Sequence, residues 1–342
     1  MNIKQITEKK EWEHFLLSQP YTPMVQSWKW GEFHTNMGED FFVYGVYENE
    51  RLIGGSLAVT THALRGSFIF LPYGPIVSDG VSVADVIGIL TNKLKEFAKQ
   101  NGYLFVRMSP FIDESDEQYV SLKNIGYRNS PMHALAENTW ILDLSNTEEE
   151  LLAGMEKGHR YLVKRCIKEG VVVEKKTSKD ALDEFNKIHD ETSKRHNFFR
   201  FPKKYVEKEF EAFNGDKEVL VFLGYLPDGR LDSSAVVYFY GNMAAYRHGA
   251  SLMKDNKLST SYLVQWEAIK EAKRRGIRWY NFWGVAPKDA SAHHPFKGIT
   301  HFKKGFGGFQ KNLIRCQDYP VSIRYAFTWT VESIRKLKRG FS

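Results

Sequence analysis

The chain has 342 residues, 42% hydrophobic and 14% aromatic, enough to bury one or two cores and too much for a disordered scaffold. Lys and Arg number 48 against 41 Asp and Glu, and the formal charge of +7 favours a polyanionic partner such as nucleic acid, a phosphorylated substrate or an anionic membrane face, although the same balance also serves plain solubility. Two cysteines, Cys166 and Cys316, exclude a disulfide framework and a cysteine-built zinc site and fit a reducing compartment. Residues 1–12 are polar and charged, with no apolar h-region, and no apolar run reaches the roughly 18 to 20 residues of a membrane span, so a cytoplasmic protein is expected.

In chain order, the sequence predicts helices at 10–18 and 28–35, then strand, polar turn and strand over 43–52. A helix follows at 86–101, with Val86, Ile89, Leu90, Leu94 and Phe97 on one face, and Gly102 stops it before a strand at 103–107. A strand at 139–144 ends the first half. Asp143 to Asn146 marks a seam, after which Thr147 and three glutamates open a new helix. The second half repeats this order: helices at 179–196 and 203–213, a hairpin at 222–231 turning on Asp228-Gly229, a helix at 261–275 with Leu263, Trp266 and Ile269 inward, the stop Gly276, and a strand at 277–282. Gly45 and Gly224 stand 179 residues apart, Gly102 and Gly276 174 apart, so two blocks recur in the same order at nearly the same offset. That pattern indicates an internal duplication. Helices, a strand meander, then helix and strand make an α/β (α+β) unit with a mixed, mainly antiparallel sheet flanked by helices, which resembles the GNAT acyltransferase fold present twice. The expected domains are 1–145, completed by the C-terminal segment 320–342 with a helix at about 321–337 packed back on it, and 146–319.

Four segments carry a more specific resemblance: Gln26-Ser27-Trp28-Lys29-Trp30-Gly31-Glu32-Phe33, Leu71-Pro72-Tyr73-Gly74-Pro75, Arg160-Tyr161-Leu162-Val163-Lys164-Arg165-Cys166, and His301-Phe302-Lys303-Lys304-Gly305-Phe306-Gly307-Gly308. In this order, on top of the duplication, they are similar to the Fem-type (FemABX) aminoacyl-tRNA transferases, which build peptidoglycan bridges on twinned GNAT-like domains. The resemblance covers nearly the whole chain. Between Glu174 and Phe213 there is no room for the long helical hairpin of larger relatives, so the compact, armless form is expected. The resemblance implies an aminoacyltransferase that moves an amino acid from aminoacyl-tRNA to the stem-peptide amine of a peptidoglycan precursor, UDP-MurNAc-pentapeptide or lipid II. A monomer with no cofactor is expected, cytoplasmic, with or without peripheral contact with the cytoplasmic membrane. Such an enzyme starts from an activated ester; it must position an amine, let that amine lose a proton and stabilise an oxyanion. A lysine-like amine, with a pKa near about 10.4, needs a base or a substrate carboxylate for this at neutral pH.

The family's motifs map onto individual residues. Lys303, in the Phe302-Lys303 pair, matches an active-site lysine suited to offset the developing charge, with Phe302 lining the substrate. The competing reading is a lysine in an exposed loop, against which Gly305 to Gly308 argue by implying close backbone packing. Ser109 stands where compact relatives carry an acidic residue considered a general base. Serine cannot hold that role at neutral pH, so the base lies elsewhere, the substrate assists itself, or the acceptor differs. Tyr103 and Arg107 are candidate cleft residues, with ordinary strand residues an equal reading. Tyr246 and His248 occupy the places of two tyrosines that line the muropeptide site; His248 suits a phosphate hydrogen bond or a titration near neutrality, or a structural role. Tyr205 is retained from a diphosphate-contacting Arg–Tyr pair whose arginine place holds Phe201, with Arg200 beside it. The family's phosphate-binding lysine falls at His34. These departures bear on a UDP-linked acceptor more than on the fold.

Residues 156–176 carry seven Lys or Arg against three Glu, and Arg160, Lys164 and Lys168 share a helix face at i, i+4 and i+8, as a track for the tRNA backbone or as a solvated face. The tail from Lys311 has seven basic residues against Asp318 and Glu332. With Phe327, Trp329 and Ile334 it suits peripheral contact with an anionic membrane, though packing of those side chains on the first domain is the favoured use. His293-His294 have no further ligand at metal-binding spacing, and no metal is assigned. Two other functions fit the same fold. An acyl-CoA N-acyltransferase would need a Gly-rich pyrophosphate turn, which residues 253–260 lack and residues 78–82 barely offer. A non-catalytic RNA- or envelope-associated protein is the third.

Overall fold

The computed structural model describes residues 1–64, 66–196, 199–255, 258–290, 294 and 296–339. The first half runs β1 (Asn2–Ile6), α1 (Lys9–Leu17), α2 (Trp28–Asn36), β2 (Phe41–Glu48), β3 (Arg51–Thr61), β4 (Phe68–Tyr73), β5 (Ile76–Val77), α3 (Val83–Gln100), β6 (Phe105–Pro110), α4 (Asp116–Ile125), β7 (Arg128–Asn129) and β8 (Asn138–Asp143). The second half runs α5 (Glu148–Ala153), α6 (Lys157–Lys168), β9 (Val172–Lys176), α7 (Lys179–His196), α8 (Lys203–Asn214), β10 (Val219–Tyr225), β11 (Leu231–Tyr240), β12 (Met243–Ser251), α9 (Thr260–Arg274) and β13 (Trp279–Gly284). It ends with α10 (Lys297–Lys304), β14 (Phe309–Asn312), β15 (Gln317–Pro320) and α11 (Tyr325–Arg339).

Local chemistry accounts for the repeated helices. The Ser82 hydroxyl accepts the Asp85 N–H and caps α3, which buries Val86, Ile87, Leu90, Leu94 and Ala98. α3 and α9 are each followed by a glycine in the left-handed region, Gly102 and Gly276, at φ 75° and 73°. At the seam, Thr147 and Glu150 form a reciprocal capping box that starts α5. Between Glu174 and Phe213 the described residues make only the end of β9, then α7 and α8, which lie on the strands of their own sheet.

The chain forms two compact units. Unit 1 comprises residues 1–139, 284–297 and 311–342; unit 2 comprises 140–283 and 298–310. Relative to the division expected from sequence, 284–297 and 311–319 fall in unit 1 and 140–145 in unit 2. The sheet of unit 1 has the order β1-β2-β3-β4-β6-β15-β7, with β5 beside β3; that of unit 2 has the order β14-β8-β13-β12-β11-β10-β9. In each, the meander is antiparallel and one central pair, β4 with β6 or β12 with β13, is parallel. This is the mixed, mainly antiparallel pattern the sequence predicts. One feature was not legible there. The sixth strand of each sheet comes from the other half of the sequence: β15 lies between β6 and β7, and β8 between β14 and β13.

Inside unit 1, Arg107 on β6 is 4% exposed and donates to both carboxylate oxygens of Asp318 on β15, at 2.7 and 2.8 Å. It also reaches Glu332 on α11 at 2.7 Å, and Tyr325 donates to Asp318 at 2.8 Å. Burial disfavours the guanidinium charge, but Asp318 and Glu332 outweigh it and drive the pKa well above its usual value. Arg107 is therefore a structural ion and not a cleft residue. α11 turns Tyr325, Thr328 and Glu332 inward. Phe327, Trp329 and Ile334, expected to pack on the first domain, are 65%, 43% and 50% exposed. The helical period places them off the inward face, so they are not the core of that packing.

Candidate functional site

The parallel pair in unit 2 is incomplete. β12 and β13 pair at Met243–Trp279, Ala244–Tyr280 and Ala245–Asn281, and there the ladder ends although both strands continue. In unit 1, by contrast, β4 and β6 stay paired over five residues to Tyr73–Pro110. At the same level β12 carries a bulge, with His248 opposite Val236 and Tyr246 opposite Val237, so Arg247 is the extra residue. Bulges re-aim side chains, and this one lies where the two strands part.

The bulge is held by buried charge. Arg247 donates to Glu209 Oε1 at 2.8 Å and His248 Nε2 donates to Oε2 at 2.7 Å, all three side chains being nearly inaccessible. Burial alone would raise the Glu209 pKa; Arg247 and His248 reverse that and hold it below the usual carboxylate range. Burial lowers His248 against the pull of Glu209, so the ring is a neutral donor at neutral pH. The Arg247 guanidinium lies between the rings of Phe201 and Trp283, at 5.1 and 4.9 Å. Trp283 is held at φ 66° by donation of its N–H to the Asn281 side chain at 2.7 Å.

Lys303 comes to this place from the last turn of α10. His159 of α6 donates to the Phe302 carbonyl at 3.0 Å, and Trp140 donates to that of Gly307 at 2.7 Å. A side chain at Gly305 would collide with the His159 ring, so glycine permits the close approach of α6 and α10. Phe306 is fully buried in the core of unit 2. The flanking glycines thus mark close packing, as the sequence predicts. Lys303 is 7% exposed, and its Nζ lies 6.0 Å from the centre of the Tyr246 ring. Burial alone lowers its pKa to about 7. Among the candidates, Lys303, Phe302 and Tyr246 therefore belong together in unit 2 beside the parted strands, with Phe302 half-buried against Tyr262 and Phe306 at 5.1 and 5.3 Å, while His248, opposite Val236 where Tyr246 is opposite Val237, lies on the other face of the sheet with Glu209.

Tyr205 lies on α8, its ring stacked on Phe201 at 4.6 Å. Arg200 is committed to α7, donating to Asp190 and to the Asn186 side chain at 2.6 Å each. Lys164 and Lys168 are exposed on α6, with Tyr161 exposed beside them, while Arg160 donates to the Ala153 carbonyl at 2.6 Å and so caps α5. His34, in unit 1, pairs through Nδ1 with Glu39 at 2.7 Å. Tyr103 is a core residue stacked on Phe97 at 6.1 Å, because it directly follows the α3 stop and turns inward. Ser109 is buried in the β4–β6 ladder opposite Pro72, so its hydroxyl is withheld from a substrate. His293, Asn256 and Lys257 lie outside the described residues. Glu209 and His159 were missed in the sequence. Each sits at a core position of an amphipathic helix, among Val206, Phe210 and Phe213 or beside Val163 and Cys166, and a charged or titratable residue on such a face was the available signal.

Residues 7–228 and 227–333 match the FemAB family. The chain is 21% identical to the lipid II:glycine glycyltransferase of Staphylococcus epidermidis, over 94% of this chain and 93% of that one. It is similar to the crystal structure of FemX, with a TM-score of 0.83 at 19% identity, covering 97% of this chain and all of the other. It also resembles a tandem GNAT protein from the clavulanic acid biosynthesis pathway, with a TM-score of 0.52 at 12% identity over 83% of this chain and 84% of that one. At these identities the structures establish the fold: GNAT-like architecture, present twice.

Proposed function

Because the chain belongs to the FemAB family, we propose that it is an aminoacyltransferase that moves an amino acid from aminoacyl-tRNA to the stem-peptide amine of a peptidoglycan precursor, in the cytoplasm. The observation that carries this reading is Lys303, buried beside Tyr246 where β12 and β13 part, with its pKa lowered to about 7 by burial. In the transfer, the acceptor nitrogen bonds to the ester carbonyl carbon, the carbonyl becomes an oxyanion, and the bond to the ribose oxygen then breaks. One proton leaves the nitrogen and one ends on the ribose oxygen. A lysine with its pKa near 7 holds or releases a proton at neutral pH, so the neutral amine accepts the nucleophile's proton, the ammonium so formed offsets the oxyanion, and it then gives the proton to the departing ribose oxygen. This supplies a proton acceptor where Ser109 cannot. The exposed Lys164 and Lys168 beside Tyr161 support a nucleic-acid donor, since cations track phosphates and an aromatic ring accepts a base.

The test is incubation with charged tRNA and, in separate reactions, UDP-MurNAc-pentapeptide and lipid II. Transfer to either, lost in Lys303→Ala, is the expected result. Turnover of acetyl-CoA without any transfer from charged tRNA would instead make it an acyl-CoA N-acyltransferase, and salt-sensitive RNA binding with neither reaction a non-catalytic protein.

A second expectation concerns Gly249. A methyl group there would strike the Tyr246 hydroxyl and ring, the movable end of a side chain, so the ring must shift while the strand need not. Gly249→Ala should lower the transfer rate by about tenfold and leave the melting temperature within a few degrees. An unchanged rate would remove Tyr246 from the site.

A further inference from the structure

We infer that α11 carries a surface that docks on an anionic lipid bilayer. Its inward face is Tyr325, Thr328 and Glu332, at i, i+3 and i+7. On the opposite face stand Phe327, Ile334 and Leu337, with Ile323 just ahead of the helix, and all four are exposed. The helical period aligns them into one outward stripe.

Charge decides the occupant. Arg324, Arg335 and Lys338 are exposed around the stripe and Lys336 is half-buried beside it. The one acid of α11, Glu332, is turned inward and bonded to Arg107 at 2.7 Å. Of α11's own residues, the outer face therefore presents apolar side chains edged by Lys and Arg. A protein partner would ordinarily be matched by mixed charge at the rim, whereas apolar residues flanked by Lys and Arg suit the interface of an anionic membrane, where side chains enter the acyl boundary and cations meet headgroups. No helix among the described residues is long and apolar enough to span a bilayer, so the contact is peripheral. This surface is independent of the transfer reaction proposed above.

The experiment is co-sedimentation of the full chain with vesicles of phosphatidylglycerol and phosphatidylcholine, compared with vesicles of phosphatidylcholine alone. The chain should bind the anionic vesicles, and binding should weaken as salt rises. Phe327→Ser/Ile334→Ser/Leu337→Ser should lose at least about tenfold in affinity, with unchanged circular dichroism because all three side chains are exposed. Arg335→Glu/Lys338→Glu should abolish the preference for anionic lipid. Absence of vesicle binding, or a triple variant that binds as the native chain does, overturns the inference. So does a native dimer in analytical ultracentrifugation that the triple variant converts to monomer, since the stripe would then face a second copy. The vesicles contain no peptidoglycan precursor, so neither result depends on the enzymatic reading.

Discussion

Lys303→Met should be nearly inactive and yet more stable than the native protein. Loss of the group that offsets the oxyanion is expected to slow transfer by about 10²–10³-fold. The gain in stability has a separate origin. Burial lowers the Lys303 pKa from 10.5 to about 7, so the folded state disfavours the charged amine that the unfolded chain carries freely. The sign follows from proton binding: between pH 7 and 10.5 the unfolded chain holds a proton that the folded chain has largely lost, so native stability rises with pH across that window. Below pH 7 both states are protonated and the full penalty stands, on the order of 5 kcal/mol for a shift of this size. Methionine fills similar space without the charge. Its melting advantage should therefore be greatest below neutral pH and shrink steadily above it. Melting curves of both proteins from pH 6 to 10 measure this; a difference that does not change with pH would mean that Lys303 is not a buried titrating amine.

The largest loss of stability is expected for Asp318→Ala. This carboxylate gives Arg107 two hydrogen bonds inside unit 1 and accepts a third from Tyr325. Removing it leaves a buried guanidinium with only Glu332 for charge compensation and strips Tyr325 of its acceptor. Breaking one side of a buried ion pair costs about 3 to 5 kcal/mol. Urea unfolding should show a midpoint lowered accordingly. Replacing the whole set by Arg107→Met/Asp318→Leu/Glu332→Leu should recover most of the loss, since apolar residues of similar volume leave no charge uncompensated. If Asp318→Ala unfolds at the native midpoint, the triad contributes no net stability.

The contrast between these two lysine and arginine sites also shows how far the sequence could be read. The duplication was plain because two glycine stops and two hairpins recur at fixed spacing, and α3 and α9 follow their apolar periods closely. Lys303 was marked by the glycines behind it, whose need for close packing is local. Arg107 was misplaced because its partners are 211 and 225 residues away, and no period within β6 reports what an inward cation will meet. Tyr103 failed for the same reason. Glu209 was legible in principle, a glutamate on the buried face of α8, but its role depends on a bulge that places Arg247 and His248 together. The strands β15 and β8 are four and six residues long, and their pairing across the duplication carries no local signature.

The trading of β8 and β15 sets a timetable for the ribosome. β6 is buried along its length and has its outer edge covered by β15, which is made more than 200 residues later, at 317–320. Until then a nascent first half exposes an open strand edge, a template for aggregation, and a cation with neither carboxylate in place. Translation stalled at the seam would yield a fragment unable to finish its own core. Gene fission there, the obvious way to recover two ancestral monomers, should give pieces that are soluble only when co-expressed.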